Sequence, residues 1–158
     1  MSSDTFVIKP YKPEFADVLA NLISYTIITC YPSVYSREVV DFFLSYHSKS
    51  ELKLKVEKAE FICGFIGDDI IATGYLNNEE IGGVYVHPDF QRRGYGRIIV
   101  QELLTRARIR KLDFVWLDST PLAYKLYLDL GFILQDELIE YVGENNIPLK
   151  YYKMKLYL

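Results

Sequence analysis

A short segment in the middle of the chain constrains its fold more than any other. Val84-Tyr85-Val86 has the composition of a strand, His87-Pro88 interrupts it, and a glycine-bearing loop at 91–96 follows. Directly after the loop, apolar residues recur at helical spacing: Ile99, Val100, Leu103, Leu104 and Ala107. Another strand pattern covers 113–118, so the unit predicts a crossover between parallel strands.

The loop itself has the features of an anion site. Gly94 and Gly96 tolerate positive φ and let a ligand approach the backbone closely. The first N–H groups of a helix have no partner within the helix, and its dipole adds positive potential there. Arg92, Arg93 and Arg97 add formal charge. These features predict a phosphate-sized site, although a helix start without a ligand could share them.

Two familiar phosphate-binding patterns do not fit this loop. A G-x-x-x-x-G-K-[ST] loop requires lysine and a hydroxyl after its second glycine, and neither is present. The dinucleotide pattern requires a third glycine where this chain has Ile99. The pattern that does fit is Q/R-x-x-G-x-G/A, after a strand that ends in V-x-P.

That pattern resembles the acyl-CoA-binding motif of the GNAT N-acetyltransferase superfamily, here as Gln91-Arg92-Arg93-Gly94-Tyr95-Gly96. A later segment resembles a second family signature, A-x-x-x-Y-x-x-x-G-F, from Ala123 through Tyr127 to Gly131-Phe132. The resemblance is specific from about residue 80 to 132 and general before that. It implies a mixed α/β (α+β) fold, with a mostly antiparallel central sheet of about six or seven strands flanked by about four helices.

Periodicity and turn signals predict the same order of elements in one domain, 1–158. Helices are expected from Pro13 to about 28, after an N-cap at Ser36, after the loop, and from Thr120-Pro121 to 130. The polar stretch 47–58 is expected to be a helix end or a short helix. Strands are predicted at 5–9, 60–66, 70–76, 80–86, 113–118, 132–137 and 150–158, with a bulge at Gly82-Gly83.

The resemblance also implies where acetyl-CoA would bind. The pantetheine arm would pair with Val84, Tyr85 and Val86, and the pyrophosphate would lie on the loop: Gln91, Arg92, Arg93, Gly94, Tyr95 and Gly96, with Arg97 nearby. Many family members have asparagine where this chain has Thr120, whose hydroxyl retains one polar contact. The histidines His47 and His87 and the two cysteines lack metal-ligand spacing, so no metal is expected.

Two residues are candidates for the acid and the base. In the family, a tyrosine at the Tyr127 position hydrogen-bonds the CoA sulfur and protonates the departing thiolate; alternatively, Tyr127 is one core ring among fourteen tyrosines. Tyr124 lies one turn earlier. Glu80 occupies the position of a catalytic glutamate in some members. The competing interpretations are that Glu80 is a surface carboxylate and that ordered water removes the amine proton.

The leading functional hypothesis is transfer of an acetyl group from acetyl-CoA to a primary amine by direct attack on the thioester. A catalytically silent acyl-CoA sensor or regulatory module is the main alternative, and a phosphate- or nucleotide-binding scaffold is a third. The family binds its acceptor between the first helices, which here offer Tyr25, Tyr31, Tyr35 and Asp41. Aromatic walls with few charges favour a small amine, a peptide N-terminus or a lysine over a polycation.

Composition limits the other partners. A net charge of −3 argues against general nucleic-acid binding. The N-terminal residues lack a signal-peptide pattern, and no run of about 18 apolar residues indicates a membrane span. Cys30 and Cys63 are expected to be free, buried thiols, which favours a cytoplasmic location. The sequence leaves a homodimer open as the assembly.

Overall fold

The computed structural model describes residues 5–158 and shows a mixed α/β fold. Within that range it contains five α-helices and seven strands. In chain order they are β1 (Phe6–Pro10), α1 (Ala16–Cys30), α2 (Arg37–Tyr46), α3 (Lys49–Lys55), β2 (Glu60–Ile66), β3 (Asp69–Asn77), β4 (Glu80–Val86), α4 (Tyr95–Ile109), β5 (Phe114–Ser119), α5 (Tyr124–Asp129), β6 (Ile133–Val142) and β7 (Ile147–Tyr157). The expected fold class is confirmed, with α3 as the short helix in the polar stretch.

The sheet has a division at its centre. Its order is β1-β2-β3-β4-β5-β7-β6, and neighbouring strands are antiparallel except β4 and β5, which α4 connects in parallel. In the described range, β4 and β5 share one register pair, Glu80 with Trp116, and the Trp116 N–H donates to the Glu79 carbonyl at 2.9 Å. Beyond that pair the two strands diverge, so the sheet opens there.

A bulge on β4 lies at the same place. The β3–β4 register shifts between Thr73 and Tyr75, opposite Gly82-Gly83, as expected from the sequence. Gly83 has φ +59, and an added Cβ at Gly82 would lie 2.4 Å from Cζ of the Tyr75 ring. Glycine is therefore required here both by the backbone conformation and by the ring that covers it.

The two faces of the sheet carry separate apolar layers. On one face, α4 buries its predicted stripe against β2–β5 and β7, with Leu103 and Val100 fully inaccessible. On the other face, α1 packs Leu19, Ile23 and Ile27 onto side chains that alternate with those of the first layer. Glu60 of β2 also forms ion pairs with Arg106 and Arg110. The half-sheet β1–β4 is therefore packed on both faces.

The second half of the sheet departs from the predicted boundaries. The hairpin β6–β7 runs from Ile133 to Tyr157, longer than the two strands expected at 132–137 and 150–158. Its outer part is covered by α2, where Val39 packs with Val142 and Leu149. This packing stabilises the outer part of both strands. The residues of β6 are mostly exposed, and such a pattern is a weak strand signal in the sequence. Val39 also donates its N–H to Ser36, the predicted N-cap.

The last helix starts later than predicted. The sequence indicated Thr120 as N-cap with the helix from Pro121, but α5 begins at Tyr124. The Ala123 N–H bonds the Thr120 carbonyl at 3.2 Å, a turn-type bond, and the Ser119 hydroxyl donates to the same carbonyl at 2.8 Å. Residues 121–123 are therefore a turn, and the Thr120 side chain is not needed as a helix cap.

The packing of α4 on the sheet makes a direct prediction about stability. Leu103→Ala should lower the free energy of unfolding by about 2–5 kcal/mol, because Leu103 is fully buried and the cavity left behind cannot be filled completely. Ile109→Ala, at the 74 % exposed end of the same helix, should change it by less than about 0.5 kcal/mol. Chemical denaturation of both variants measures the difference, and equal losses would contradict this layer assignment.

Candidate active site

The loop between β4 and α4 has the backbone of an anion site. Gly94, at the N-cap of α4, has φ +87, and an added Cβ would meet nothing within 4 Å. Glycine is therefore required by the backbone and not by lack of space. The N–H groups of Tyr95, Gly96 and Arg97 begin α4 and have no acceptor within the helix. They point their positive dipole ends toward the groove in front of the helix.

A cavity of about 430 Å³, here called the loop cavity, lies against this helix start. It is bounded by the end of α1, by β4 and the loop, and by α5. The residues predicted to hold the cofactor line it, except Arg93: Val84, Tyr85, Val86, Gln91, Arg92, Gly94, Tyr95, Gly96, Arg97 and Thr120. Arg93 instead lies over the Phe90 ring, at 5.4 Å from its centroid.

The Gln91 side chain fixes the loop to its surroundings. Its Nε2 donates to the Val86 carbonyl at 2.9 Å and to Cys30 Sγ at 3.4 Å. One amide thus joins the loop to the end of β4 and the end of α1. Cys30 is only half-buried and lines the loop cavity, contrary to the expectation of a buried thiol, because it ends α1 at that rim. Cys63 is fully buried, as expected.

A second cavity, of about 230 Å³, lies on the other side of the opening in the sheet. We call it the hairpin cavity because β6 and β7 contribute Glu140, Leu149 and Tyr151 to its wall. The two cavities share lining residues where β4 and β5 diverge: Tyr31, Val84, Tyr85, Thr120, Ala123 and Tyr127. The divergence of the strands therefore joins the two spaces.

Tyr127 lies at this junction. It is 6 % exposed, and its ring packs against Phe132 at 5.6 Å between centroids. Its hydroxyl has no hydrogen-bond partner within residues 5–158, and Tyr127 is a lining residue of both cavities. Burial, and secondarily Tyr31, raises the pKa of Tyr127 well above its ordinary value. The phenol is thus a protonated donor available to a ligand. Tyr124 lies away from both cavities and packs on Tyr152 at 4.5 Å.

Other polar groups line the hairpin cavity near Tyr127. Glu80 accepts a hydrogen bond from the Tyr75 hydroxyl at 3.3 Å. Burial raises the pKa of Glu80, while the Tyr75 hydrogen bond and Lys55 oppose that shift. The Tyr31 hydroxyl donates to that of Tyr85 at 3.4 Å. Glu80 is therefore a half-buried carboxylate more basic than one in water, which suits a proton acceptor.

Of the four residues predicted to hold the acceptor, Tyr31 alone lines the two cavities. Tyr25 stacks on His87 at 5.2 Å outside them, and Tyr35 donates its hydroxyl to the Lys150 carbonyl at 3.0 Å. Asp41 is exposed on α2, which presents Phe42 and Phe43 to the hairpin cavity instead. Helical spacing turns Asp41 away from these rings.

The hairpin cavity also carries charged residues from outside the first two helices. Its wall includes Lys55, Asp118 and Glu140, which the sequence analysis did not single out. They come from α3, β5 and β6, far apart in the chain. Only the alternation of Asp118 with buried Leu117 and Ser119 on β5 could have shown which face it occupies.

Neither a metal site nor a membrane span is found in the part of the chain that the structure describes. No group of three or more His, Cys, Asp or Glu side chains in residues 5–158 could hold a metal ion. Over the same residues, no helix combines the length and the apolar character needed to cross a bilayer.

The fold, the helix-start anion site and the joined cavities are those of an acyl-CoA-dependent transferase architecture, and a family comparison agrees. Residues 23–132, more than half of the chain, match the model of the Acetyltransferase (GNAT) family. The chain belongs to the GNAT acetyltransferase family.

Curated relatives align with part of the chain. The [ribosomal protein bS18]-alanine N-acetyltransferase of Salmonella typhimurium is 29% identical over 93 residues, which cover 57% of this chain and 60% of that protein. An uncharacterized N-acetyltransferase, ycf52, of Gracilaria tenuistipitata var. liui is 32% identical over 77 residues, covering 48% of this chain and 40% of that protein. The chain thus spans less than two thirds of the length of these relatives.

Solved structures match the fold over its full length. A GCN5-related N-acetyltransferase from Rhodopseudomonas palustris has a TM-score of 0.89 at 20% identity, covering 100% of this chain and 98% of that chain. The PaiA N-acetyltransferase from Thermoplasma acidophilum, solved in complex with coenzyme A, has a TM-score of 0.81 at 15% identity, covering 98% and 99%. These likenesses confirm the GNAT fold.

The hydrogen bond between Tyr75 and Glu80 predicts a measurable titration. Tyr75→Phe should raise the pKa of the Glu80 carboxyl further, because the lost hydrogen bond stabilises the ionised form. Tyr151→Phe is the matched control, since that hydroxyl bonds Glu140 at 2.8 Å and not Glu80. Carboxyl carbon chemical shifts followed by NMR against pH measure the change. A Glu80 pKa that falls or stays constant in Tyr75→Phe would contradict the assigned contact.

Proposed function

We propose that the chain is an N-acetyltransferase that moves an acetyl group from acetyl-CoA to a primary amine. The observation that carries the proposal is the unpartnered Tyr127 hydroxyl, held at the junction of two cavities. One cavity has the anion site that a CoA pyrophosphate requires, and the other has a carboxylate suited to deprotonating an amine. Membership in the GNAT acetyltransferase family gives the same reaction class.

The loop cavity suits acetyl-CoA in both shape and charge. Its helix start offers N–H groups to a pyrophosphate, and Arg92 and Arg97 add positive charge beside them. The bulged part of β4, past its one pair with β5, leaves backbone groups for the amides of a pantetheine arm. An arm lying along β4 toward Tyr127 would bring the thioester to the sheet opening.

The reaction that follows is a direct attack. The neutral amine nitrogen forms a bond to the thioester carbonyl carbon, the carbon–sulfur bond breaks, and CoA leaves as a thiolate. The amine loses one proton and the sulfur gains one, so the proton count balances. Glu80 in the hairpin cavity is placed to accept the amine proton, and Tyr127 is placed to hydrogen-bond the leaving thiolate, which then takes its proton from water.

Tyr127 acts mainly as a hydrogen-bond donor to the sulfur. A thiol has a pKa of ~8.5, whereas burial holds the pKa of Tyr127 well above 10. Complete transfer of the phenol proton is therefore opposed, and a shared proton that stabilises the charge developing on sulfur is favoured. The stabilisation is strongest in the transition state, where the charge appears in a buried site.

Glu80 is the proposed base, directly or through a water. Most alkylamines are protonated at neutral pH, so the nucleophile must lose a proton before attack. The raised pKa of Glu80 narrows the gap to that of the amine. The charge of Lys55 lowers the pKa of Glu80 and so favours its ionised form, which is the form that accepts a proton.

An acyl-CoA sensor without catalysis is less well supported. Such a module needs the loop cavity alone. It would not require a second cavity that continues through the sheet, nor a buried phenol at the junction. The curated relative from Salmonella is named for acetylation of an alanine of ribosomal protein bS18, which supports an amine as the acceptor class.

The proposed cofactor site predicts a charge-specific loss of binding. Gly94→Asp should weaken CoA binding by at least about 100-fold, because a carboxylate would face the pyrophosphate at the helix start. Gly94→Asn is the matched control, since asparagine has nearly the same size and tolerates positive φ about as well as aspartate. It should retain most of the affinity in calorimetry. Equal losses in both variants would show that backbone strain, and not charge, is responsible.

The proposed role of Tyr127 predicts a loss in turnover and not in binding. Tyr127→Phe keeps the buried ring and removes the hydroxyl, so kcat should fall ~10²-fold or more while acetyl-CoA affinity changes little. Tyr124→Phe should be nearly silent because its ring lies on Tyr152. Thiol release from acetyl-CoA with an amine acceptor measures both. Normal turnover by Tyr127→Phe would refute the assignment.

A further inference from the structure

The hairpin cavity has a clear direction, from a buried end to an open mouth. At its buried end lie Tyr127 and Tyr31, which are 6 % and 8 % exposed and which also line the loop cavity. At its mouth, Asp118 and Glu140 are exposed and Tyr46 is 52 % exposed. An acceptor that entered between Asp118 and Glu140 would therefore bring its innermost nitrogen to Tyr127.

The wall of this cavity carries an excess of negative charge. Among the described lining residues, the carboxylates of Glu80, Asp118 and Glu140 face one ammonium, that of Lys55. His47 adds no charge at neutral pH, because burial lowers its pKa to about 3. Lys153, the register partner of Asp118 on β7, is not a lining residue and holds its ammonium over the Trp116 ring, although its charge lowers the pKa of both Asp118 and Glu80. Two negative charges thus remain uncompensated by lining residues.

Glu80, Asp118 and Glu140 all line the hairpin cavity. The pKa of Tyr46 is raised first by burial, then by the lining carboxylates Glu80, Asp118 and Glu140, and last by Glu51 outside the lining. Burial also raises the pKa of Asp118, with Glu140 adding to the shift and Lys153 opposing it. Asp118 and Glu140 therefore repel one another. A cation between them would relieve that repulsion.

The groups around this space suit an alkylammonium ion. The Tyr151 hydroxyl donates to Glu140 at 2.8 Å and holds it at the mouth. The Lys55 ammonium lies over the Tyr46 ring at 4.3 Å from its centroid, so it occupies that ring and leaves the two carboxylates as partners for a further cation. Between mouth and junction, Phe42 and Phe43 offer apolar faces to a hydrocarbon chain. The volume, about 230 Å³, fits a small linear molecule.

We propose that the acceptor is a small aliphatic diamine or polyamine. One nitrogen, deprotonated, reaches Tyr127 and is acetylated, while a second nitrogen stays protonated and binds between Asp118 and Glu140. The inference rests on the proposed acetyl transfer and adds the substrate class. It replaces the expectation, drawn from the first helices alone, that the acceptor would not be a polycation.

Matched acceptors test the second nitrogen. With wild-type enzyme, kcat/KM for 1,4-diaminobutane should exceed that for 1-aminopentane, which has the same number of heavy atoms, by about tenfold or more. The double variant Asp118→Asn, Glu140→Gln should lose this preference through a higher KM for the diamine, with 1-aminopentane unchanged. Glu137→Gln is the control, because Glu137 also lies exposed on β6 but pairs with Lys150 at 3.7 Å outside the cavity.

Three outcomes would overturn the inference. They are equal kcat/KM for the two acceptors, equal losses for both in the double variant, and a higher kcat/KM for a short peptide amine than for the diamine. Calorimetry of 1,4-diaminobutane with the CoA-saturated protein separates this inference from the proposed function. Binding that the double variant weakens about tenfold would support the diamine site even if no amine is acetylated. Absence of binding would refute it, whereas acetylation of another amine would leave the proposed function standing.

Discussion

The site depends on the separation of two parallel strands. Strands β4 and β5 share the register pair Glu80–Trp116 and then diverge, and the bulge at Gly83 turns β4 further away. A continuous sheet would close its centre with hydrogen bonds and side chains. Because the ladder stops, backbone groups of β4 become free to bind a ligand, and the two cavities meet through the sheet. The loop after β4, helix α5 and the hairpin β6–β7 form further walls of the two joined cavities.

The surrounding structure keeps the opening from collapsing. The half-sheet β1–β4 is packed on both faces, by α1 and by α4, and the fully buried Leu19 and Leu103 lie on opposite sides of it. The hairpin β6–β7 is held separately, through β5 and by α2 at Val39. Each half thus has its own apolar support, so the space between them needs few direct contacts.

The two cavities have opposite electrostatic character. The loop cavity combines a helix start with Arg92 and Arg97, whereas the hairpin cavity combines Glu80, Asp118 and Glu140 with a single lysine among its described lining residues. An anionic cofactor and a cationic acceptor would therefore be drawn to different cavities. Tyr127, buried between them and held neutral by its raised pKa, adds no charge that would disturb either side.

The sequence alone determined the parts of this protein that depend on local signals. The strand–loop–helix unit at 84–107, the glycine at position 94, the bulge glycines and the order of elements along the chain were readable because turn chemistry and periodicity act over a few residues. Tyr127 was identified by a motif of similar range. Family membership follows from the same segments, which lie within residues 23–132.

Tertiary structure alone decided the composition of the hairpin cavity, the proposed acceptor site. Asp118, Glu140 and Lys55 come from three separate elements, and no local pattern brings them together. Asp41 and Tyr25 lie in the helices that were expected to bind the acceptor, but neither lines the cavity. Asp41 is on the exposed face of α2, and Tyr25 stacks on His87. The hairpin β6–β7 is longer than predicted because α2 packs over its outer part. The alternation of exposed residues there is a weak strand signal in the sequence. Long-range packing, which the sequence encodes only through the whole fold, therefore set the charge of the cavity and with it the substrate class we propose.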